Sequence, residues 1–140
     1  MGRLLAIDYG LKRVGLAVTD PLQIIATALE TVPAKQLLNF LIAYGKKEQV
    51  DAFIVGMPLN LKLEKTDSTD AVLKFVKLLK KTFPKHAVHL HDERFTSKMA
   101  LDAMIRAGST KKDRRKKENI DKVSATIILQ SFMESQSYNR

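Results

Sequence analysis

The 140 residues contain no cysteine and no tryptophan. Without cysteine there are no disulfides, no thiolate metal ligands and no thiol nucleophile. Three tyrosines and six phenylalanines are the whole aromatic complement, so a broad stacking platform for single-stranded bases is not evident. Acid is scarce beside base: 15 Asp and Glu stand against 24 Lys and Arg, a formal charge of +9. No stretch approaches the ~18 unbroken apolar residues that a membrane span requires. Asp8 interrupts the first apolar run too early for a secretion signal. What remains is a globular balance, 45% hydrophobic and 28% charged. The expectation is one soluble, cytoplasmic domain over residues 1–140, with a polar tail at about 135–140. A chain of this size buries roughly two thirds of its unfolded surface without disulfide or zinc.

The cations are unevenly spread. Residues 109–117 read STKKDRRKK, six cations and one anion in nine residues. A charge run of this kind is either a solvated loop or a binding surface for a polyanion. The overall surplus favours nucleic acid, with Lys111, Lys112, Arg114 and Arg115 as the contacts. A membrane surface is disfavoured, because the run carries no apolar face to insert.

Short apolar runs at residues 3–8 and 13–19, split by Tyr-Gly-Leu-Lys, predict an antiparallel hairpin turning at Gly10. Residues 24–32 predict a third strand after the Asp20-Pro21 break, and Pro33 opens a helix striped by Leu37, Leu38, Leu41, Ile42 and Tyr44. The dense run at 51–56 predicts a buried parallel strand. A helix over 69–83 carries Val72, Phe75, Val76, Leu78, Leu79 and Phe83, and residues 86–91 add a last strand. Thr96 or Ser97 caps a further helix ending at Gly108, and residues 118–134 form the final one, with Ile120, Val123, Ile127 and Ile128 toward the core. The order β-β-β-α-β-α-β-α-α is a mixed α/β sheet: an antiparallel meander, then parallel strands covered by helices.

Ligands of open α/β sheets bind at the carboxyl ends of the strands. Asp8 ends the first strand and Glu93 follows the last. Singly, each reads as well as a turn or cap residue; together, on strands apolar up to the carboxylate, they suggest a site. Asp121 lies four residues before Ala125, and the small Ser124 and Ala125 would let that helix approach the sheet and bring Asp121 toward Asp8. Clustered carboxylates need a cation, and oxygen-only donors select Mg²⁺ or Mn²⁺.

These segments resemble a known family. Ile7-Asp8-Tyr9-Gly10-Leu11-Lys12-Arg13-Val14-Gly15 through Asp20, Gly56-Met57-Pro58-Leu59-Asn60, Asp92-Glu93-Arg94-Phe95-Thr96-Ser97, and Asp121-Lys122-Val123-Ser124-Ala125 with Ile128-Leu129-Gln130 are similar to the YqgF family, also called RuvX. Its members are described both as pre-16S rRNA nucleases and as Holliday junction resolvases. The resemblance implies a ribonuclease H-like fold with five strands. It also implies that Asp8, Glu93 and Asp121 are the catalytic acids and metal ligands. At residues 61–65, Leu-Lys-Leu-Glu-Lys replaces the family's Gly-rich turn, so the pattern predicts nothing for that loop.

The chemistry this implies is two-metal hydrolysis, with Asp8 bridging two ions and Glu93 and Asp121 each completing one site. Lys12 and Arg13 either hold a phosphate or serve as a solvated turn residue and a packed edge residue. Arg94 either pairs with Glu93 or meets phosphate. Pre-16S rRNA is the favoured substrate and branched DNA the alternative, because resolving a junction needs two symmetric sites while the chain shows no dimer seam; a monomer or weak homodimer is expected. Two rivals are weaker. An actin-like ATPase would need a duplicated fold, and an inert nucleic-acid binder gains nothing from carboxylates beside phosphate. His89 and His91 share a strand face but lack a third zinc ligand. Asp20 reads as a cap of the Asp-Pro turn, Asp92 as a helix-entry or turn residue or, less favoured, an aid to the metal site, and Met57, Met99 and Met104 as core filler.

Overall fold

The structure is a computed structural model that describes residues 2–57, 67–92 and 117–138. The predicted helix of residues 96–108, the basic run before Lys117 and the 61–65 loop lie outside those residues, as do Glu93 and Arg94. β1 (Arg3–Asp8), β2 (Arg13–Thr19) and β3 (Ala26–Pro33) are followed by a 3-10 turn at Ala34–Gln36 and α1 (Leu37–Lys47). β4 (Val50–Met57), α2 (Asp67–Thr82), β5 (Ala87–Asp92) and α3 (Lys117–Tyr138) complete the described elements.

The five strands form one sheet in the order β3-β2-β1-β4-β5. β1, β2 and β3 pair antiparallel, and β4 joins β1 and β5 in parallel, as the apolar runs predict. β1 is therefore central. β3 carries a bulge, since Leu16 pairs Glu30 while Ala17 pairs Ala28, which leaves Leu29 as the extra residue. A bulge twists an exposed edge and blunts it against further pairing.

Strand alternation divides the core in two. Leu5, Ile7, Val14, Leu16, Phe53 and Val55 point to one face and pack on Leu37 and Leu41 of α1 and on Val72, Phe75, Val76 and Leu79 of α2. Ala6, Ala17 and Ile54 point to the other, where Ala125, Ile128, Leu129 and Phe132 of α3 cover them. One face is thick with branched and aromatic side chains, and the other is thin. Among the described residues no helix is long and apolar enough to cross a membrane.

Several boundaries differ from the sequence reading. β3 begins at Ala26, two residues after the apolar run starts, and Ile24 and Ile25 are exposed at 65% and 64%. Asp20 causes this: its carboxylate accepts the Ile24 and Ile25 amide N–H groups at 2.8 and 2.7 Å, so neither can join the ladder. Pro33 ends β3, and α1 starts only after the 3-10 turn. Ile42 and Leu78 are exposed, off the buried stripes of α1 and α2. α3 continues to Tyr138, through most of the expected polar tail. Nothing in Ser-Gln-Ser-Tyr breaks a helix, and each added residue closes one more backbone bond.

Candidate active site

β1, β4 and β5 are parallel, so their carboxyl ends, at Asp8, Met57 and Asp92, share one edge of the sheet. Asp8 pairs Gly15 on β2. Ile7 pairs Val55, which brings Gly56 level with Asp8 on the other side, and Gly56 in turn pairs His91. The row across the sheet thus reads Gly15, Asp8, Gly56, His91. Asp8 has the same parity as Ala6 and stands half-buried on the α3 face, with no side chain on either adjacent strand position. Glycine inside a strand marks a place where something must come close. The signal was present in Arg-Val-Gly-Leu and Val-Gly-Met-Pro, and the sequence reading attached no role to either strand glycine.

The turn after Asp8 is held by another close approach. A Cβ on Gly10 would collide with the Arg13 carbonyl oxygen. Glycine there lets the chain reverse and sets Lys12 at the tip, exposed, its carbonyl accepting the Ala34 N–H at 2.9 Å. Arg13 opens β2 opposite Pro33 and is half-buried, with its Nε shielded from solvent.

α3 supplies the opposite wall. Ser124 and Ala125 are 2% and 0% exposed, so the helix does seat its small residues on the sheet. Position 121 lies one helical turn before that buried pair, on the same side of the helix by periodicity. Of the described α3 side chains, Ser124, Ala125, Ile128, Leu129 and Phe132 form the buried stripe; Ile127 is only half-buried. The side chains of Ile120, Asp121 and Val123 are not among those described. Of the three expected acids, then, the structure describes Asp8 in full and Asp121 by its backbone. Among the described residues no three His, Asp or Glu gather as a metal cluster.

His89, His91 and Asp20 have structural duties. His91 Nε2 and Ser131 Oγ share a hydrogen bond of 2.8 Å, and the His89 ring lies 5.0 Å from Phe132. The shared face of the two histidines is thus a packing surface for α3. Asp20 is the turn cap expected, accepting also the Leu22 N–H at 3.1 Å. The Ile25 N–H, foremost among these donors, helps hold its carboxyl below the usual 3.8. Burial raises the Tyr44 hydroxyl above its ordinary value of 10.0.

A central strand ending in a carboxylate, a 3-2-1-4-5 mixed sheet and a long helix laid across its thin face define the ribonuclease H-like class. Two solved RuvC structures share that fold at 15% identity: Thermus thermophilus RuvC in complex with a Holliday junction substrate (TM-score 0.58, covering 98% of this chain and 96% of that one) and RuvC of the same species in a second structure (TM-score 0.56, 97% and 96%). Within the class, the chain belongs to the RuvX family, whose model, described as Holliday junction resolvase, matches residues 2–135. Relatives named "Putative pre-16S rRNA nuclease" include that of Amoebophilus asiaticus, 57% identical over 96% of both chains. Those of Phocaeicola vulgatus and Bacteroides thetaiotaomicron are 50% and 48% identical, each over 99% of this chain and over 99% and 100% of their own.

Proposed function

We propose that this protein is a divalent-metal-dependent nuclease that hydrolyses phosphodiester bonds, acting in 5′-end maturation of pre-16S rRNA. The carrying observation is Asp8 at the carboxyl end of the central strand, flanked by Gly15 and Gly56. The names of the relatives at 48–57% identity favour ribosomal RNA as the polymer.

The donor chemistry fits Mg²⁺ or Mn²⁺. Asp8 offers hard oxygens, and on the packed face of α3 the Ser124 hydroxyl is a buried oxygen without a hydrogen-bond partner among the described residues. Asp8, Glu93 and Asp121 would hold the ions. The chemistry such ions supply is a lowered pKa for the attacking water and stabilised charge on the leaving oxygen. The chain's own part is to hold and to orient. Asp8 is fixed by its strand, and the exposed Lys12 stands at the turn beyond to offset phosphate charge. Arg13 and Arg94 are assigned to phosphate, and Lys111, Lys112, Arg114 and Arg115 to electrostatic affinity for the polymer. The protein works in the cytoplasm as a monomer or weak homodimer.

The family description favours a second reading, resolution of Holliday junctions. Labelled pre-16S rRNA and a four-way DNA junction assayed side by side with Mg²⁺ or Mn²⁺, alongside the mass in solution, decide between them. Cleavage of the RNA by a monomer is expected. A stable dimer that nicks junctions symmetrically and ignores the RNA would transfer the assignment to the resolvase.

A further inference from the structure

Asp8 and Tyr9 are consecutive, so their side chains leave the sheet on opposite faces. Asp8 stands on the α3 face, while Tyr9 packs with the α1–α2 core and stacks on Phe75, ring centroids 5.0 Å apart at 19°. That ring pair lines a groove of about 510 Å³ between the start of α1 and α2, bordered by Lys35, Asn39, Lys74 and Leu78. Lys35, Asn39 and Lys74 are exposed, and Leu78 is 46% exposed on an otherwise polar side of α2. The rim is tied to the site, since the Ala34 N–H that borders the groove donates to the carbonyl of Lys12.

We infer that this groove is a subsite for a flanking nucleotide of the single-stranded RNA substrate, its base against the Tyr9 ring, which the buried Phe75 backs, and its phosphates between Lys35 and Lys74. The inference rests on the nuclease reading for the identity of the polymer. The chemistry of the groove argues for a nucleotide specifically. An aromatic floor accepts any base, because every base has a π face. Two cations without an acid among the lining residues suit phosphate, and the Asn39 amide offers a donor and an acceptor to a base or sugar edge. A purely apolar ligand would leave both lysines without a role; a free anion would make none of the ring contacts. Position adds to chemistry. A chain passing over the carboxyl edge of the sheet, with its scissile phosphate at Asp8, meets the groove at Tyr9, the residue that follows β1.

The test is binding without cleavage. A short labelled single-stranded oligoribonucleotide is titrated with the full-length protein in EDTA and followed by fluorescence anisotropy over a salt series. The Lys35→Ala/Lys74→Ala double variant is compared with Lys46→Ala/Lys47→Ala, which removes the same charge from the far end of α1. Loss of two single-strand phosphate contacts should weaken binding about tenfold or more and reduce the slope of log K against log salt by about 1.4. The control pair should leave both near wild type. Tyr9→Leu should weaken binding roughly fivefold or more with an unchanged slope, and Tyr9→Phe, which keeps the ring, should bind as wild type. Thermal melting separates a folding defect in Tyr9→Leu from a contact defect, and the lysine pair carries the test by itself. Equal behaviour of groove and control pairs would overturn the subsite. If the groove pair alone loses RNA while the wild type cuts neither ribosomal precursor nor junction, the subsite stands and the nuclease reading falls.

Discussion

Asp20 closes β2 at one edge of the sheet, and Asp8 closes β1 at the other. Around Asp20 the chain folds back on itself. Its carboxylate takes the N–H groups of Leu22, Ile24 and Ile25, and Gln23 sits at φ 59 with its amide donating to the Gly2 carbonyl at 2.8 Å. Arg3 bridges Glu48 at 3.3 Å and donates to the Thr19 carbonyl at 2.9 Å, and Asp51 accepts the Gly2 N–H at 3.0 Å. Polar groups at this edge are spent on one another. At the Asp8 edge the neighbours are two strand glycines, a turn that exposes Lys12, and a groove rimmed by lysines. Both aspartates end apolar strands, so the residue type does not separate a structural acid from a reactive one. What separates them is setting: Asp20 is ringed by the backbone donors that follow it, while Asp8 ends the central strand between two glycines, beside a turn that exposes Lys12.

The sharpest way to break this contrast is Asp8→Asn. It should lower metal-dependent cleavage of pre-16S rRNA about a thousandfold or more, on the order of 4 kcal/mol of transition-state stabilisation, with an unchanged melting curve. Wild-type rates in the purified variant would return Asp8 to the same structural class as Asp20. Next in size is Ala125→Leu, which forces a larger side chain into the thin seam under α3. Urea unfolding should show a loss of about 1–3 kcal/mol. Cleavage should drop as the backbone at 121 is displaced, while RNA binding in the groove on the opposite face survives.

Two smaller effects refine the comparison. Lys12→Ala should reduce the salt slope of RNA binding by about 0.7, the mark of one phosphate contact, whereas Lys85→Ala at the far end of α2 should leave it unaltered. Asp20→Ala should lower the melting temperature at neutral pH without changing the cleavage rate. The sign of its pH dependence follows from the depressed carboxyl. Its stabilisation is complete above the ordinary value of 3.8 and is lost as pH falls through the lower folded value, so variant and wild type should converge in acid. A constant gap across that range would mean that the turn is held by something other than the charged carboxylate.

The sheet was legible because its strands are dense apolar runs bounded by turn residues, and the parallel placement of β4 followed from its burial on both faces. Asp8 was legible as the polar end of such a run. The misplaced side chains have one origin: apolar residues were counted as buried wherever they occurred. Ile24 and Ile25 look like strand, but Asp20 holds their amides. Leu78 completes a helical stripe on paper, yet it borders an open groove. Ile127 outranks Ala125 in hydropathy, and still it is Ala125 that is fully buried. The groove itself was illegible, because Tyr9 and Phe75 lie in separate motifs and only the crossover through β4 brings them together.

The thin seam between α3 and the sheet has a consequence for sequence change. Alanine has no rotamers, so Ala6, Ala17 and Ala125 forfeit almost no side-chain entropy when they are buried. They equally have nothing to rearrange when a neighbour grows. A thick interface absorbs a new methylene by turning a leucine; at these three positions only the facing Ile54, Ile128, Leu129 and Phe132 can turn, and beyond that the helix must move. Volumes at positions 6, 17 and 125 should therefore trade against one another from relative to relative, holding their sum nearly constant, while the branched residues under α1 and α2 exchange freely.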